Sequence, residues 1–367
     1  MVDKRKASVL VDYGMPFEVK EFDVPTPGPG CLVVEIDVAT VCGSDVHVWR
    51  GHLKGVLPIN PPLILGHEMV GRIVAFGEGA ELDTLGAPLA LGDRVVWAHA
   101  PCGRCVECTV LHQAQLCRSR YVAYLNDCSV PPHFTGAFAQ IGYIRSNAGR
   151  IRVPDDVESG WASAGSCALR SVVKALKVAG PVGFTDSVVI QGAGPLGLFA
   201  TAVLSTMGPR QIIVVGGPDD RLALAREWGA THTVSIEEMP DAAARIAAVR
   251  EISGGGATLA LEFAGVSGAF AEGVELLRPF GRYVVMGTIG GGAQPVDVSR
   301  IVTKGLRITG SMSGEVGDYA DAMAFLSRYR DRFNWDLMLG QRYSLDQLGE
   351  AMEAMLAMRE IKPVIVP

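Results

Sequence analysis

The sequence predicts two domains, the first a mostly antiparallel β domain and the second a doubly wound α/β domain. At 367 residues the chain is too long for a single hydrophobic core. In the first part, short β-branched runs such as 32–38 and 94–97 are broken by Gly and Pro, which is typical of antiparallel strands. Further along, apolar strands alternate with helix-length segments, which indicates a parallel sheet covered by helices.

The same periodicities predict the individual elements. The buried-strand candidates of the second domain are 187–191, 211–215, 259–263 and 282–286. After strand 306–309 the alternation of strands and helices ends. The later segments 318–329 and 345–358 are predicted to be amphipathic helices. Segment 362–366 is strand-like and could rejoin the first domain. The insert 77–91, rich in Gly, Ala and Leu, is expected to be a surface loop. We therefore assign 1–168 and 312–367 to the first domain and 169–311 to the second.

Composition excludes several classes of protein. Hydrophobic residues make up 49% and charged residues 20%, which is ordinary for a globular chain. The net charge is −6 and no basic run is present, so we expect no nucleic-acid partner. No stretch approaches 18 apolar residues, and no apolar segment with a cleavage site follows the N-terminal charges. These features predict a soluble, cytoplasmic protein without a membrane partner.

Cys42, His67 and Cys167 are candidate ligands of a catalytic zinc. Two thiolates and one imidazole make the three-ligand set that leaves a fourth position for water or substrate, where zinc acts as a Lewis acid on an alcohol or carbonyl oxygen. Taken alone, Cys167 is more easily read as a small core residue and His67 as a hydrogen-bonded structural residue. Only the joint pattern favours a metal site.

Four further residues surround these ligands in sequence. Asp45 is the natural acceptor for the free N–H of His67, because coordinating imidazoles are usually held by a carboxylate. Glu68, next to His67, is expected to approach the metal from behind. Ser44 could pass the alcohol proton outward to His47, since a hydroxyl both donates and accepts and histidine titrates near neutrality.

A second cysteine cluster predicts a closed, structural zinc site. Its ligands are Cys102, Cys105, Cys108 and Cys117. The C-x2-C-x2-C spacing in a reducing compartment favours metal over disulfides, and four thiolates leave no position for substrate. A zinc ribbon for nucleic acid is the alternative, but 110–113 offers no basic face.

A glycine-rich turn predicts a dinucleotide site. Strand 187–191 runs into Gly192-Ala193-Gly194-Pro195-Leu196-Gly197, followed by a helix from near Leu198. In this context Gly192 permits the tight turn, Gly194 admits the pyrophosphate and Gly197 allows close packing of the helix on the strand. The helix N-terminus offers N–H donors to the phosphates. A purely structural α/β turn is the alternative.

The Asp or Glu that usually hydrogen-bonds to the adenosine ribose is absent. At the end of the next strand, where it would be expected, the sequence has Gly216 and Gly217. This absence would permit NADP. However, Asp219 and Asp220 would repel a 2′-phosphate, and Arg221 could serve either cofactor. We favour NAD.

The chain resembles the zinc-containing medium-chain alcohol dehydrogenases along essentially its whole length. The resemblance rests on the glycine turn, the cysteine cluster, and the segments 42–47, 66–68 and 92–95. It implies a GroES-like catalytic domain and a Rossmann coenzyme domain in a homodimer or homotetramer with two zinc ions per chain. It also implies a catalytic zinc on Cys42, His67 and Cys167, with Ser44 and His47 as the proton relay.

Further cofactor positions by the same resemblance are Gly287, Thr288 and Ser311. Two departures from the family are visible. Some members use a Glu as third zinc ligand, but 161–167 contains no acid, so Cys167 is the better match. The gap from Cys108 to Cys117 is one residue longer than usual in the family, which leaves open whether the structural zinc is retained.

By analogy with the family, the substrate pocket draws on mostly apolar or aromatic positions. They are Trp49, Ala98, His99, Phe134 and the neighbourhoods of Thr288 and Met312. We expect a hydrophobic alcohol, secondary or alicyclic. The alternatives are an NADP-preferring carbonyl reductase, a zinc-free enone or quinone reductase, and a nonenzymatic dinucleotide-binding protein; the zinc ligands argue against the second and the relay residues against the third.

Overall fold

The computed structural model describes residues 3–55, 59–287 and 295–367. The chain forms two compact units: unit 1 comprises Met1–Arg170 and Gly314–Pro367, and unit 2 comprises Ser171–Ser313. Thr288, predicted to contact the cofactor, lies outside the described residues. Among those residues, no helix is long and apolar enough to cross a membrane.

The strands, in chain order, are β1 Lys4–Leu10, β2 Phe17–Asp23, β3 Leu32–Thr40, β4 Leu63–Ile64, β5 Met69–Phe76, β6 Arg94–Trp97, β7 Ile141–Ile144, β8 Arg150–Arg152, β9 Ser187–Gln191, β10 Gln211–Gly216, β11 His232–Ser235, β12 Ala257–Glu262, β13 Leu277–Val285, β14 Arg307–Gly310, β15 Leu339–Tyr343 and β16 Lys362–Ile365. The α-helices are α1 Gly43–Trp49, α2 Val106–Thr109, α3 Ser159–Ala164, α4 Arg170–Ala179, α5 Pro195–Met207, α6 Asp219–Glu227, α7 Ala242–Ser253, α8 Ala269–Leu276, α9 Val298–Lys304, α10 Val316–Arg328 and α11 Leu348–Leu356.

Unit 1 is mainly antiparallel, as predicted. One sheet has the order β2-β1-β4, and the larger one the order β15-β16-β3-β5-β6-β8, with β7 also paired to β3. Strand β16 pairs antiparallel with β3, where Val364 faces Thr40, so the end of the chain rejoins the first unit. Its apolar core packs side chains such as Leu32 and Leu348 from both ends of the sequence.

Unit 2 is a six-stranded parallel sheet in the order β11-β10-β9-β12-β13-β14, which confirms the predicted doubly wound topology. All residues of β9 and β12 are buried, because helices cover both faces of a parallel sheet. Helix α5 begins at Pro195, not near Leu198 as predicted. Proline suits the first helical position, since its fixed φ is helical and the N–H it lacks would have no helical partner there.

Candidate functional site

The three candidate zinc ligands come from three different elements of unit 1. Cys42 is the N-cap of α1, His67 lies between β4 and β5, and Cys167 lies in a π-helical turn, Gly165–Leu169. π-helical turns often occur at functional sites. The ligand atoms of these residues and of Glu68 all lie within 4.8 Å of one another. The fold thus gathers sulfur, nitrogen and carboxylate donors at one point.

Asp45 holds two of these segments together. Its Oδ1 lies 3.1 Å from Nδ1 of His67 and accepts from the backbone N–H of Gly66, while Oδ2 accepts from the N–H of Cys42. An ionised carboxylate only accepts, so Nδ1 of His67 is the donor and its Nε2 is left for a metal. Burial lowers the pKa of His67, but Asp45 and its anionic neighbours outweigh this and raise it well above the ordinary value.

The two thiols are electrostatically unequal. A hydrogen bond from Cys42 lowers the pKa of Cys167 well below its ordinary value, against the effect of burial, and the nearby Arg170 acts in the same direction. Nη2 of Arg170 lies 3.8 Å from Sγ of Cys167. The pKa of Cys42 is raised, mainly because it donates to Cys167 and is buried. Cys167 is therefore the thiol more readily ionised.

Behind the ligands lies a buried ion pair that sequence reasoning missed. Nζ of Lys362, in β16, donates to both carboxylate oxygens of Glu68, at 2.5 and 2.6 Å, and to the carbonyl of Val41 at 3.3 Å. The hydroxyl of Thr40 donates to Glu68 at 2.6 Å. Burial would lower the pKa of Lys362, but the Glu68 carboxylate and the two site thiols raise it. Lys362 therefore occupies both oxygens of Glu68.

The predicted relay residues both lie on α1. Oγ of Ser44 is 3.5 Å from Sγ of Cys42. Nδ1 of His47 is 3.0 Å from Nδ1 of His52, a residue that the sequence analysis did not single out. Within the described parts of the chain, no hydrogen bond joins Ser44 to His47. A proton passing between them would need an intervening hydroxyl group or water.

The donor set fits a catalytic zinc. Cys42, His67 and Cys167 supply two sulfurs and one nitrogen. The Asp45 carboxylate fixes the orientation of the imidazole, and the Glu68 carboxylate is paired with the Lys362 ammonium. Three protein donors of this kind leave one position open on a tetrahedral ion.

The second cysteine cluster also fits zinc. The sulfurs of its four members, Cys102, Cys105, Cys108 and Cys117, lie within 4.8 Å of one another. A 3-10 turn, Ala114–Leu116, takes up the chain between the third and fourth cysteines. The backbone N–H of Arg104 is the main cause that lowers the pKa of Cys102 to about 6, which favours the thiolate that binds metal. The longer spacing is thus compatible with four converging sulfurs.

The glycine turn has the close backbone approaches that a dinucleotide site needs. Gly192 has φ +107°, and a Cβ on Gly197 would lie 1.9 Å from the carbonyl oxygen of Gly192. A Cβ on Gly194 would meet nothing within 4 Å, so the space beside this Cα is open at the start of α5. These residues fit a nicotinamide dinucleotide with its pyrophosphate at the helix N-terminus.

The other predicted cofactor positions lie at the same ends of the strands. Gly216 ends β10, and a Cβ there would be 2.8 Å from the backbone nitrogen of Ala193. The N–H of Gly287 donates to the Glu262 carboxylate at 3.0 Å. Oγ of Ser311 is buried and has no hydrogen-bond partner in the described structure, and its predicted contact with the cofactor stays a prediction.

The segment after β10, which would contact the adenosine ribose, contains two acidic residues. Gly217 precedes Pro218, the N-cap of α6, and Asp219 and Asp220 form the first turn of that helix. Oγ of Ser235 donates to Asp219 at 2.6 Å. Arg221 is 9% exposed, and burial lowers its pKa.

Comparison with known proteins places this site in a family. Residues 28–155 match the alcohol dehydrogenase GroES-like domain, and residues 195–328 match the zinc-binding dehydrogenase domain. The 5-exo-hydroxycamphor dehydrogenase of Pseudomonas putida is 36% identical over 366 residues, which cover 98% of each chain. The chain belongs to the zinc-containing medium-chain alcohol dehydrogenases. An alcohol dehydrogenase of Moraxella sp. is 33% identical over 87% of each chain.

The solved structures agree with this assignment. The crystal structure of an alcohol dehydrogenase from Thermotoga maritima has a TM-score of 0.91 and 32% sequence identity, and covers 100% of both chains. The predicted GroES-like and Rossmann domains are therefore confirmed as the fold of this chain, and the protein is an oxidoreductase of the alcohol dehydrogenase class.

This alcohol dehydrogenase has an aromatic wall beside His67. The ring of Tyr124 stacks on His67 with centroids 4.5 Å apart, and on His99 at 5.6 Å. Together with Trp97 and Phe134 these rings line a small cavity. Burial, then the charges of Arg120, His67 and Arg170, lower the pKa of His99 well below its ordinary value. His99 is therefore a neutral member of an apolar wall.

The remaining predicted pocket residues do not line this cavity, and their contact with substrate stays a prediction. Trp49 is buried in the core of unit 1, and its indole N–H donates to the carbonyl of Met15. Ala98 follows β6 directly. Met312 belongs to unit 2, where it is 39% exposed.

Proposed function

We propose that this chain oxidises a hydrophobic alicyclic secondary alcohol to the ketone with NAD, using one catalytic and one structural zinc per chain. The observation that carries the proposal is the convergence of Cys42, His67 and Cys167, whose ligand atoms lie within 4.8 Å of one another. When bound, zinc supplies a Lewis acid that lowers the pKa of the alcohol. We assign this chemistry to residues 1–168 and 312–367, and coenzyme binding to 169–311.

The residues of the chain have distinct roles in this proposal. Asp45 orients the imidazole of His67, and the Lys362 ammonium keeps the Glu68 carboxylate behind the ligands. Ser44 takes the proton of the alcohol O–H and passes it toward His47; a bound nicotinamide would supply the acceptor for the hydride of the carbon that bears this oxygen.

The choice of substrate rests on a relative: the Pseudomonas putida protein is named for 5-exo-hydroxycamphor, an alicyclic secondary alcohol. The cavity lined by Tyr124, Trp97 and Phe134 holds only about 10 Å³, room for one water, so these side chains support the choice only through the apolar surface that they give to the neighbourhood of His67.

The choice of NAD rests on charge. Asp219 and Asp220 begin α6 beside the strand end at Gly216, and their carboxylates disfavour a 2′-phosphate. An NADP-preferring carbonyl reductase is the second candidate, favoured by the absence of an acid at position 216 and by the basic Arg221.

Two further expectations concern the setting. Two sites built from reduced thiols favour a cytoplasmic protein. Strand β14 ends the sheet of unit 2 with one edge unpaired among the described strands. Val302, nearby in sequence, is 74% exposed, and Phe280, whose ring lies beside Gly305, is 81% exposed. These features favour a homodimer or homotetramer that covers the edge.

The test is a panel of alcohols assayed with NAD and with NADP. It should contain bicyclic and monocyclic secondary alcohols, linear alcohols, a polyol and an amino-acid alcohol. We expect the cyclic secondary alcohols to have the highest kcat/KM, and chelation of zinc to abolish turnover. Activity confined to the polyol or the amino-acid alcohol would refute the substrate class, and full activity without zinc would refute the mechanism.

A further inference from the structure

The end of α1 forms a backbone motif that sets two histidines against each other. Gly51 has φ +73°, its N–H donates to the carbonyl of Val48 at 2.9 Å, and the N–H of His52 donates to the carbonyl of His47 at 3.0 Å. This pair of bonds is a Schellman cap, which places the residue after the glycine beside the third-last residue of the helix. The position of His52 is therefore built into the helix end.

The two rings make a direct hydrogen bond. Nδ1 of His47 and Nδ1 of His52 are 3.0 Å apart, with ring centroids 5.3 Å apart. One nitrogen must donate and the other must accept, because two N–H groups cannot face each other at this distance. The pair therefore holds one proton between its facing nitrogens and carries a charge of zero or +1, not +2. The contact also commits Nδ1 of His47, which leaves Nε2 to receive a proton.

The charged groups around the pair are otherwise engaged. Burial, then His52, lower the pKa of His47, while Cys42 raises it. Arg50, at the end of α1, pairs with Glu353 of α11 at 3.5 Å. The ammonium of Lys54 lies over the ring of Tyr13, and Asp45 is committed to His67. Among the described residues, His52 is the titratable group in hydrogen-bond contact with His47.

We propose that His47 and His52 act as one proton-accepting unit that ends the relay and delivers the alcohol proton to solvent. His47 accepts a proton at Nε2 and gives its Nδ1 proton to Nδ1 of His52, which loses its Nε2 proton to water. One proton thus moves from the alcohol O–H to water, and each ring ends in its other tautomer. Exchange of the Nε2 protons with water restores the starting tautomers before the next turnover. His52 is a positioning and proton-accepting residue that acts through His47. The inference rests on the proposed alcohol oxidation.

The shared proton is tested without turnover. Full-length protein with ¹⁵N-labelled histidine is titrated by NMR, with His47→Gln and His52→Gln used to assign the two rings. We expect the wild-type rings to titrate in two linked steps and the remaining ring of each variant in one step. Independent single-step titration of both wild-type rings, unchanged in either variant, would overturn the pair.

The relay is tested by pH profiles of alcohol oxidation. We expect His52→Gln to lower kcat about tenfold near pH 6, where proton acceptance limits the relay, and less than about twofold near pH 9. Added imidazole should restore the low-pH rate. The double variant should match His47→Gln, because His52 acts through His47. Lys54→Gln, the matched control, removes a neighbouring charge and should follow the wild-type profile.

The outcomes separate the two proposals. A His52→Gln profile equal to wild type, or a loss that adds fully to that of His47→Gln, would exclude the shared relay while alcohol oxidation itself stands. If the wild type oxidises no alcohol, the proposed function fails and the relay with it, whereas the NMR titration still decides whether the two rings share a proton.

Discussion

Replacing Lys362 with Met should strongly destabilise unit 1. The Lys362 ammonium is 2% exposed and makes two bonds to Glu68, which is itself fully buried. Without it, the Glu68 carboxylate keeps the hydroxyl of Thr40 as a donor but faces the carbonyl of Val41. Removing one partner of a buried ion pair costs about 3–5 kcal/mol. Burial raises the pKa of Glu68 to about 8 even beside Lys362, so in the variant this carboxyl group either stays charged without a counter-ion or must take up a proton.

Urea unfolding of zinc-free protein, followed by tryptophan fluorescence, measures this loss. Four of the five tryptophans lie in unit 1 and only Trp228 in unit 2, so the signal reports mainly on unit 1. At an m value of about 3 kcal/mol/M, the loss lowers the midpoint by about 1–1.7 M. The same substitution at Lys4, whose pair with Asp23 spans 3.9 Å and is exposed, should cost less than about 1 kcal/mol.

A second variant separates charge from packing. Replacing Glu68 with Gln in the Lys362→Met background removes the remaining charge, so at least half of the lost stability should return. A Lys362→Met protein within about 1 kcal/mol of wild type would show that the ion pair does not stabilise this site. A loss that the double variant fails to relieve would assign the effect to packing of the lysine stem.

Three shorter predictions concern the metals, the relay and the cofactor. Elemental analysis should find two zinc ions per chain, and Cys105→Ser should lose one of them together with stability, because structural zinc contributes folding free energy; an active wild type without zinc would contradict this. Ser44→Ala should lower alcohol oxidation about 10²–10⁴-fold with zinc content and cofactor affinity unchanged, and a wild-type rate would exclude the relay role. The wild type should have the higher kcat/KM with NAD, and a preference for NADP of about tenfold, or 1.4 kcal/mol, would reverse that choice. Gly216→Asp is a poor probe of the same question, since its Cβ would lie 2.8 Å from the backbone nitrogen of Ala193.

Features carried by local sequence could be predicted. Strands β9, β10, β12 and β13 contain apolar runs, so the pattern predicts their existence and order of appearance. It does not predict β11, whose sequence His232–Ser235 is mostly polar. Strand β9 was placed at its observed bounds because the glycines at 192 and 194 mark its end so clearly. The start of α5 was placed three residues late, since the role of Pro195 as first helical residue was not used.

Features that depend on contacts between residues far apart in the sequence could not be predicted. Lys362 and Glu68 are 294 residues apart, and the sequence around Lys362 reads only as a strand. The π-helical turn that carries Cys167 has no local signature, because it reflects packing around the site. The contact between His47 and His52 was missed although a signal existed: a glycine after a helical segment predicts a Schellman cap, and the histidines flank it at the matching spacing.

The pairing of β16 with β3 also determines when unit 1 can be completed during translation. The two strands are made far apart in translation, and Glu68 emerges 294 residues before Lys362. At roughly 5–20 residues per second, the carboxylate waits about 15–60 s for its counter-ion. All residues of unit 2 are made in that interval, so the nucleotide-binding half can fold while the first segment of unit 1 is still incomplete. The addition of β16 is thus a late step that completes the surroundings of the proposed metal ligands.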